Sequence, residues 1–469
     1  MLGTPPFPLN PRPSLRNFLV EIEQPMKSQP AKRLKASLPD QRNQFMQKLR
    51  SDRNDGDITN SPCKSLKFRL LSLLVLIIGP PFLLYLVLSC VKNQCVLFQL
   101  SLVVPTHPSA YFSSYAALLV FGFIMIMLLI SFTSRPANLK DRNGFDQPQA
   151  STAFASLVCA TMIMLILAYL KPEYIRFLFE EYLRMFATTT AFCIGFSFFV
   201  FTLNIIGVLE KDRVFCYPMA FLYGYNTHVN ISQVELKYFF YVHVGMVAWA
   251  LLDLIIFLDV SINQPFSCSV AFLAFTQYVF IAHTLLYESY LRKRPFVSTE
   301  GLGFLWLMQV LMYLPFLHSL PVYYVATVET SLSWQFILAD TVLFIYGFVI
   351  NISSTHQKEN FLSDHQSYRN LKSIPGPAHS GKRLLVSGYW GVLQKPDYLG
   401  YMIIWLSWTI ACDSSLLAFV VLLVVYGTMF IWLKKSAQRN QEVYGRAWLH
   451  CKWKSSRTKH LCLSNKINT

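Results

Sequence analysis

The chain has 469 residues, of which 54% are hydrophobic and only 14% charged, with a formal net charge of +16. Charge this sparse excludes a string of ordinary soluble domains, and the recurrent uncharged runs of about twenty residues or more are too long for the buried helices of a globular core. An all-α polytopic membrane protein of about ten transmembrane helices is expected, because helices satisfy their own backbone groups in hydrocarbon.

Residues 1–66 carry 11 Lys/Arg against 6 Asp/Glu and lack apolar periodicity, so they are expected to form a disordered basic arm. The opening MLGTPPFPLNPRPSL is Pro-rich with no apolar h-region, and no cleaved signal peptide is expected. Lys32-Arg33-Leu34-Lys35 is a short basic cluster, and Ser61-Pro62 is a candidate phosphorylation site. Such an arm either contacts nucleic acid, lamina or anionic lipid, or is a solvated tail obeying the positive-inside rule.

Ten apolar segments follow, and they set a membrane domain over residues 67–433. The first five are Leu70–Val91, Ala110–Phe132, Thr152–Leu170, Met185–Leu209 and Tyr238–Leu258. The remaining five are Pro265–Tyr287, Gly303–Val325, Leu332–Ile350, Leu399–Cys412 and Leu416–Leu433. With both termini in the cytosol or nucleoplasm, only Lys92, Lys171, Arg176 and Arg184 of the 41 Lys/Arg fall on the lumenal side, and the opposite orientation violates the charge bias. On the lumenal side, Pro172–Arg184 reads as an interfacial amphipathic piece. Cys90 and Cys95 flank a lumenal loop, where they either pair in an oxidising lumen or remain two thiols. The ten cysteines show no CxxC or zinc spacing, so no metal site is expected. Residues 434–469 form a basic tail with Trp448 and Trp453 interleaved, suited to anionic lipid headgroups.

Between the eighth and ninth apolar segments stands Leu384–Gly400, LLVSGYWGVLQKPDYLG. Its glycines admit close backbone approach, its aromatics offer stacking faces, and Pro396 enforces a bend. A polar, Gly-punctuated stretch between membrane spans is expected to line a cavity rather than face lipid. Together with GLGF at Gly301–Phe304, Pro315-Phe316, Gln357-Lys358, Leu371–Pro375 and Tyr444–Trp448, it resembles the signature of the sterol C14-reductase and lamin B receptor family. That signature runs roughly LLV-[ST]-G-W-W-G-x-x-R-H-P-N-Y-L-G-D.

The resemblance implies a pocket in the C-terminal half (residues 210–433) for a sterol or sterol-like lipid. NADPH would enter it from the cytosolic connections Glu210–Lys237, Glu288–Leu302 and Asn351–Arg383. It also implies residence in the endoplasmic reticulum or inner nuclear membrane, with residues 1–66 as an arm toward lamin or chromatin. The family reaction adds a proton to one carbon of an isolated double bond and a hydride from NADPH to the other. By resemblance Lys358 is a phosphate partner and Trp390 a stacking face, with Lys395, Asp397 and Tyr398 around them. Tyr398 and Tyr313 are the candidate catalytic hydroxyls, with Tyr323 and Tyr324 as further aromatic donors. Intramembrane His243, Asp253, His283, His318 and Asp340 are ionisable candidates that could equally be structural pairs, and Asp413 reads as a turn residue.

The departures fall on polar positions. Gln394-Lys395 stands where the family has Arg-His, Asp397 replaces Asn, Tyr401 replaces Asp, and Leu362 replaces Arg. Further upstream, His283 replaces an acid, Thr299-Glu300 replaces His-Asp, and Val310 replaces Asp. Gly388, Gly391, Pro396, Leu399, Gly400, Tyr444 and Gly445 are kept. A kept scaffold with erased charges is the pattern of a catalytically degenerate member. The alternatives are an active NADPH-dependent delta-14-sterol reductase, a sterol-binding or transport protein, and a methyltransferase-like relative.

Overall fold

The computed structural model describes residues 66–93, 95, 97, 105–133, 152–209, 217–231, 234–292, 294–298, 300–329, 332–363, 371–375, 383–444 and 448. The chain divides into two units, residues 1–64 and 65–469, and every described residue belongs to the second. The expectations for the basic arm, for Ser61-Pro62 and for the tail beyond 448 lie outside the described residues.

The second unit is helical. In chain order the helices are α1 (Leu66–Asn93), α2 (Ser114–Thr133), α3 (Thr152–Leu170), α4 (Pro172–Glu180), α5 (Tyr182–Ile205) and α6 (Tyr217–Tyr223). They continue with α7 (Leu236–Asn263), α8 (Cys268–Leu286), α9 (Phe304–Val328), α10 (Trp334–Ser363), α11 (Pro396–Ala411) and α12 (Leu416–Tyr444). Two short antiparallel ladders join them, β1 (Asn230–Ile231) with β2 (Val234–Glu235), and β3 (Ser373–Pro375) with β4 (Arg383–Leu385).

Among the described residues, eight helices are long and apolar enough to cross a membrane. Each of the ten apolar segments read from sequence is a helix; α1, with 28 residues, is long enough to span a bilayer, whereas α11 is not. The 16 residues of α11 span about 24 Å, less than the ~30 Å hydrocarbon thickness.

Burial sorts the helices. α7 and α9 are mostly buried and form the core, whereas α2, α3 and α10 present most of their apolar surface outward, as a helix that is apolar all round does against lipid. The two core helices contain wide π-type turns at Phe239–Met246 and Gln309–Leu317, which pack on one another. Pro315 lies in the second; its missing N–H breaks the i→i−4 ladder and accounts for the widening there. α4 is the expected amphipathic piece. Pro172 opens it, Ile175 and Leu178 are buried, and Arg176 reaches Glu180 at 3.0 Å and Asp259 of α7 at 3.1 Å. Cys90 and Cys95 are joined as a disulfide. Asp413 and Ser414, both at positive φ, make the turn between α11 and α12, as expected of Asp413.

Among the described residues, α10 and α11 share the most extensive helix–helix contact. A Cβ added at Gly400 would lie 2.5 Å from the Asn351 backbone nitrogen and 2.6 Å from the Gly347 carbonyl. Without a Cβ the two backbones touch, the small-residue contact that holds helices in a membrane. Gly400→Val should therefore force α10 and α11 apart and destabilise the fold by ~1–3 kcal/mol. The expected result is a melting temperature several degrees lower in detergent. Gly427→Ala, where an added Cβ meets nothing within 4 Å, should not lower it; equal melting of both variants would refute the contact.

Candidate functional site

The motif residues that lie far apart in sequence converge at one end of the α10–α11 pair. Contrary to the expectation of a loop from Asn351, α10 continues to Ser363, so Ser354, Gln357 and Lys358 stand on a helical extension beyond the apolar span. The β3–β4 ladder brings LKSIP beside LLV, pairing Ser373 with Leu385 and Ile374 with Leu384. The Val386 amide extends it by donating to Lys372 O at 3.0 Å.

The chain then turns at Gly388, whose φ of +62° is a left-handed value that L side chains rarely adopt. An added Cβ there would also strike the Gln357 amide at 2.1 Å. That amide has a function of its own, since Gln357 Oε1 accepts the Tyr389 N–H at 3.1 Å. Trp390 follows, its Nε1–H donating to Ser354 O at 2.9 Å. The indole is thus pinned by its edge to α10. Lys358 Nζ lies 5.1 Å and Lys395 Nζ 5.7 Å from the ring centroid, both within cation–π range. Lys395 also lies 5.5 Å from the Tyr398 ring. At the start of α11, Asn351 Nδ2 donates to the Asp397 carbonyl at 2.7 Å.

The structure therefore brings together Lys358, Trp390, Lys395, Asp397 and Tyr398. Tyr313 is not among them; an ideal Cβ on Gly79 of α1 would lie 3.5 Å from its hydroxyl, in the bundle interior. Sequence reasoning missed Arg294, which acts electrostatically on Lys395 and Tyr398 and lies beside Tyr241. Its signal was the basic run Arg292-Lys293-Arg294 within a connection already marked as important. Lys237 was also missed. Its buried ammonium donates to the carbonyls of Thr227 (2.8 Å), Glu300 (2.6 Å) and Val297, tying the start of α7 to the segment before GLGF. In that segment Gly301 and Gly303 press on the backbone of Tyr223 and Gly224, so GLGF is a packing motif.

The other ionisable candidates lie elsewhere in the bundle. His318 stands between the Trp249 and Trp405 rings (4.7 and 5.0 Å), with Nδ1 donating to Tyr313 O at 2.9 Å. Asp253 is fully buried one turn on from Trp249, whose indole N–H is committed to Gln277 at 2.7 Å. Asp340 is buried against α11, where Ser407 donates to its carbonyl at 3.4 Å. His283 packs on His356 and Tyr287, and His243 meets Thr152 at 3.5 Å. Tyr323 stacks on Phe179.

A helical bundle with eight helices able to cross a membrane, carrying an aromatic and cationic cluster at one helix end, defines a polytopic integral membrane protein. The chain belongs to the ergosterol biosynthesis ERG4/ERG24 family, whose model matches residues 67–455. It is similar to the Delta(14)-sterol reductase LBR of Gallus gallus, at 27% identity over 67% of this chain and 49% of the relative. It also resembles the Delta(14)-sterol reductase TM7SF2 of Mus musculus, at 26% identity over 50% of this chain and 56% of the relative. The Delta(14)-sterol reductase ERG24 of Candida albicans is 24% identical over 63% of this chain and 70% of the relative. The chain thus spans about half the length of the Gallus gallus and Mus musculus relatives.

Lys395 has the electrostatics of a crowded site. Burial lowers its pKa from 10.5 to about 8; Asp397 opposes the shift, and Lys358 and Arg294 add to it. The amine therefore loses its proton as pH rises through about 8, well before an ordinary lysine. Competitive amine labelling should give half-maximal reactivity of Lys395 at pH about 8, and Asp397→Asn should move that midpoint lower by removing the opposing charge. A midpoint near 10.5 in both proteins would contradict this arrangement.

Proposed function

We propose that this chain is a divergent, catalytically degenerate member of the sterol reductase family that keeps the scaffold and a weakened cofactor cleft. What carries this reading is Asp397 at the start of α11. A helix N-terminus is a ready seat for a phosphate, and here it already bears a carboxylate. Leu362, one turn beyond Lys358 on α10, is 42% exposed where the family places a cation. The residues present fit one part of NADPH, an aromatic face flanked by two ammonium groups. They do not fit its full set of phosphates, so no hydride step follows from them. Losing three charged partners at ~1.5 kcal/mol each corresponds to roughly a thousandfold weaker binding.

One observation favours the alternative, an active NADPH-dependent delta-14-sterol reductase. Lys358 and Lys395 still converge on Trp390, so two ammonium groups flank one aromatic face. Titration of purified protein with NADPH beside the Candida albicans relative separates the two readings. We expect binding at least a hundredfold weaker and no NADPH consumption with a 14-ene sterol. Replacing Gln394, Lys395 and Asp397 by Arg, His and Asn should recover at least tenfold in affinity. Tight binding with turnover by the unaltered chain, or restored ergosterol in a C14-reductase-deficient yeast, would decide for the enzyme.

The family relationship and the multi-span architecture support residence in the endoplasmic reticulum or nuclear envelope. There the basic residues 1–66 would contact lamina, chromatin or anionic lipid. Deleting residues 1–66 should raise the mobility of the protein at the nuclear rim, measured by photobleaching recovery; unchanged mobility would remove the arm from this proposal.

A further inference from the structure

The Trp390 cluster sits where the bilayer ends. α11 is too short for both its ends to reach the hydrocarbon surfaces, since its 16 residues rise about 24 Å against ~30 Å. With the Asp413–Ser414 turn at one surface, Lys395, which caps the start of α11, stays at the headgroup level of the other. The side chains around it fit that depth. In the turns that carry Lys358, Trp390 and Tyr398, the apolar Leu362, Val392 and Leu399 are exposed, as is Tyr389. Aliphatic and aromatic groups mixed with lysines belong to the zone between acyl chains and water.

Three cations from three separate segments meet at this level. Lys358 Nζ and Lys395 Nζ lie 5.1 and 5.7 Å from the Trp390 ring centroid, and Lys395 Nζ lies 5.5 Å from that of Tyr398. Arg294 is exposed, hydrogen-bonds Tyr241 and acts electrostatically on Lys395, Tyr398 and Tyr401. Among the described residues none of these three cations forms an ion pair, whereas Arg176, Arg184 and Lys435 each hold a carboxylate. The acid that acts on Lys395 is Asp397, so three cations face one carboxylate. Like charges crowded together repel, and an anion set among them relieves the repulsion.

We propose that Lys358, Lys395 and Arg294 seat the phosphate of an anionic membrane phospholipid whose headgroup ends in a phosphomonoester. The dianion matches the excess positive charge, and the guanidinium and two ammonium groups supply charge-assisted donors. The acyl chains of the same molecule meet the exposed Val392 and Leu399, which is why the occupant comes from the bilayer. A phosphatidylcholine headgroup fits less well, because its quaternary ammonium adds a fourth cation. This seat rests on the reading of the Trp390 site as a cofactor cleft that has lost its grip on NADPH.

The test uses the full chain in detergent and counts retained lipid by native mass spectrometry. Phosphatidic acid is expected to stay bound where phosphatidylcholine with the same acyl chains is lost. The double variant Lys358→Gln, Lys395→Gln and the single variant Arg294→Gln should each cut retention roughly tenfold or more, with the melting temperature unchanged. Lys171→Gln, at the exposed start of α4, should leave retention as it is, and Asp397→Asn should raise it. Bound phosphatidic acid should also move the midpoint of Lys395 amine labelling upward from about 8, by about one pH unit or more, because a nearby anion favours the charged amine. Retention insensitive to the Lys and Arg variants would overturn the proposal, as would equal retention of phosphatidylcholine. Glycerol 3-phosphate giving the same labelling shift without lipid would make the occupant a soluble phosphomonoester and overturn the lipid assignment. Tight NADPH binding that displaces phosphatidic acid would sink the reading of a weakened cofactor cleft and leave the seat standing; weak binding of both would sink the seat alone.

Discussion

The contact on which the Trp390 end of this molecule depends is the bare backbone approach of α10 and α11 at Gly347 and Gly400. In hydrocarbon, apolar side chains gain little by leaving lipid for one another, so helices are held by tight packing and by hydrogen bonds. Both operate here within one turn. The glycines let the backbones touch, and Asn351 spans the pair to the Asp397 carbonyl. Everything at the Trp390 cleft inherits its position from that contact, because Ser354, Gln357 and Lys358 follow Asn351 on one helix. Lys395 and Tyr398 flank Asp397 at the start of the other.

Much of the scaffold was legible in the sequence. Apolar length alone located all ten helices of the expected membrane domain, since the thickness of hydrocarbon leaves little freedom. Their ends were less legible. α10 runs on through Gln357 to Ser363 because nothing in that polar stretch breaks a helix, whereas hydropathy registers only where lipid contact stops. The motif glycines proved to be geometric requirements, as the left-handed turn at Gly388 and the interlocked Gly301 and Gly303 illustrate. Individual site residues were harder to rank. Trp390, Lys395, Asp397 and Tyr398 share a segment, and the fold brings Lys358 of α10 to them. Tyr313 was chosen for its hydroxyl, and no sequence pattern could say that it faces α1. Arg294 was hidden for the converse reason: its place beside Lys395 arises from tertiary folding of a connection that shares no period with α11.

The retained and replaced residues of the family pattern differ in the physical work they do. Those retained control shape: Gly388 permits a turn, Gly400 permits helix contact, and the Trp390 indole fastens the loop to Ser354. Those replaced are mixed in place: Leu362 is exposed, whereas Val310 is buried, Tyr401 packs on Phe280 and Trp405, and His283 packs on His356. Lys395 is crowded by Lys358 and Arg294, with Asp397 opposing them.

The Lys237 ammonium has a mechanical consequence. It is fully enclosed and held by carbonyls from two separate connections, those of Thr227 on one side and of Val297 and Glu300 on the other. A buried cation is costly to leave short of partners, so separating either connection from the head of α7 carries an electrostatic penalty, and Thr227, Val297 and Glu300 are tied to one point.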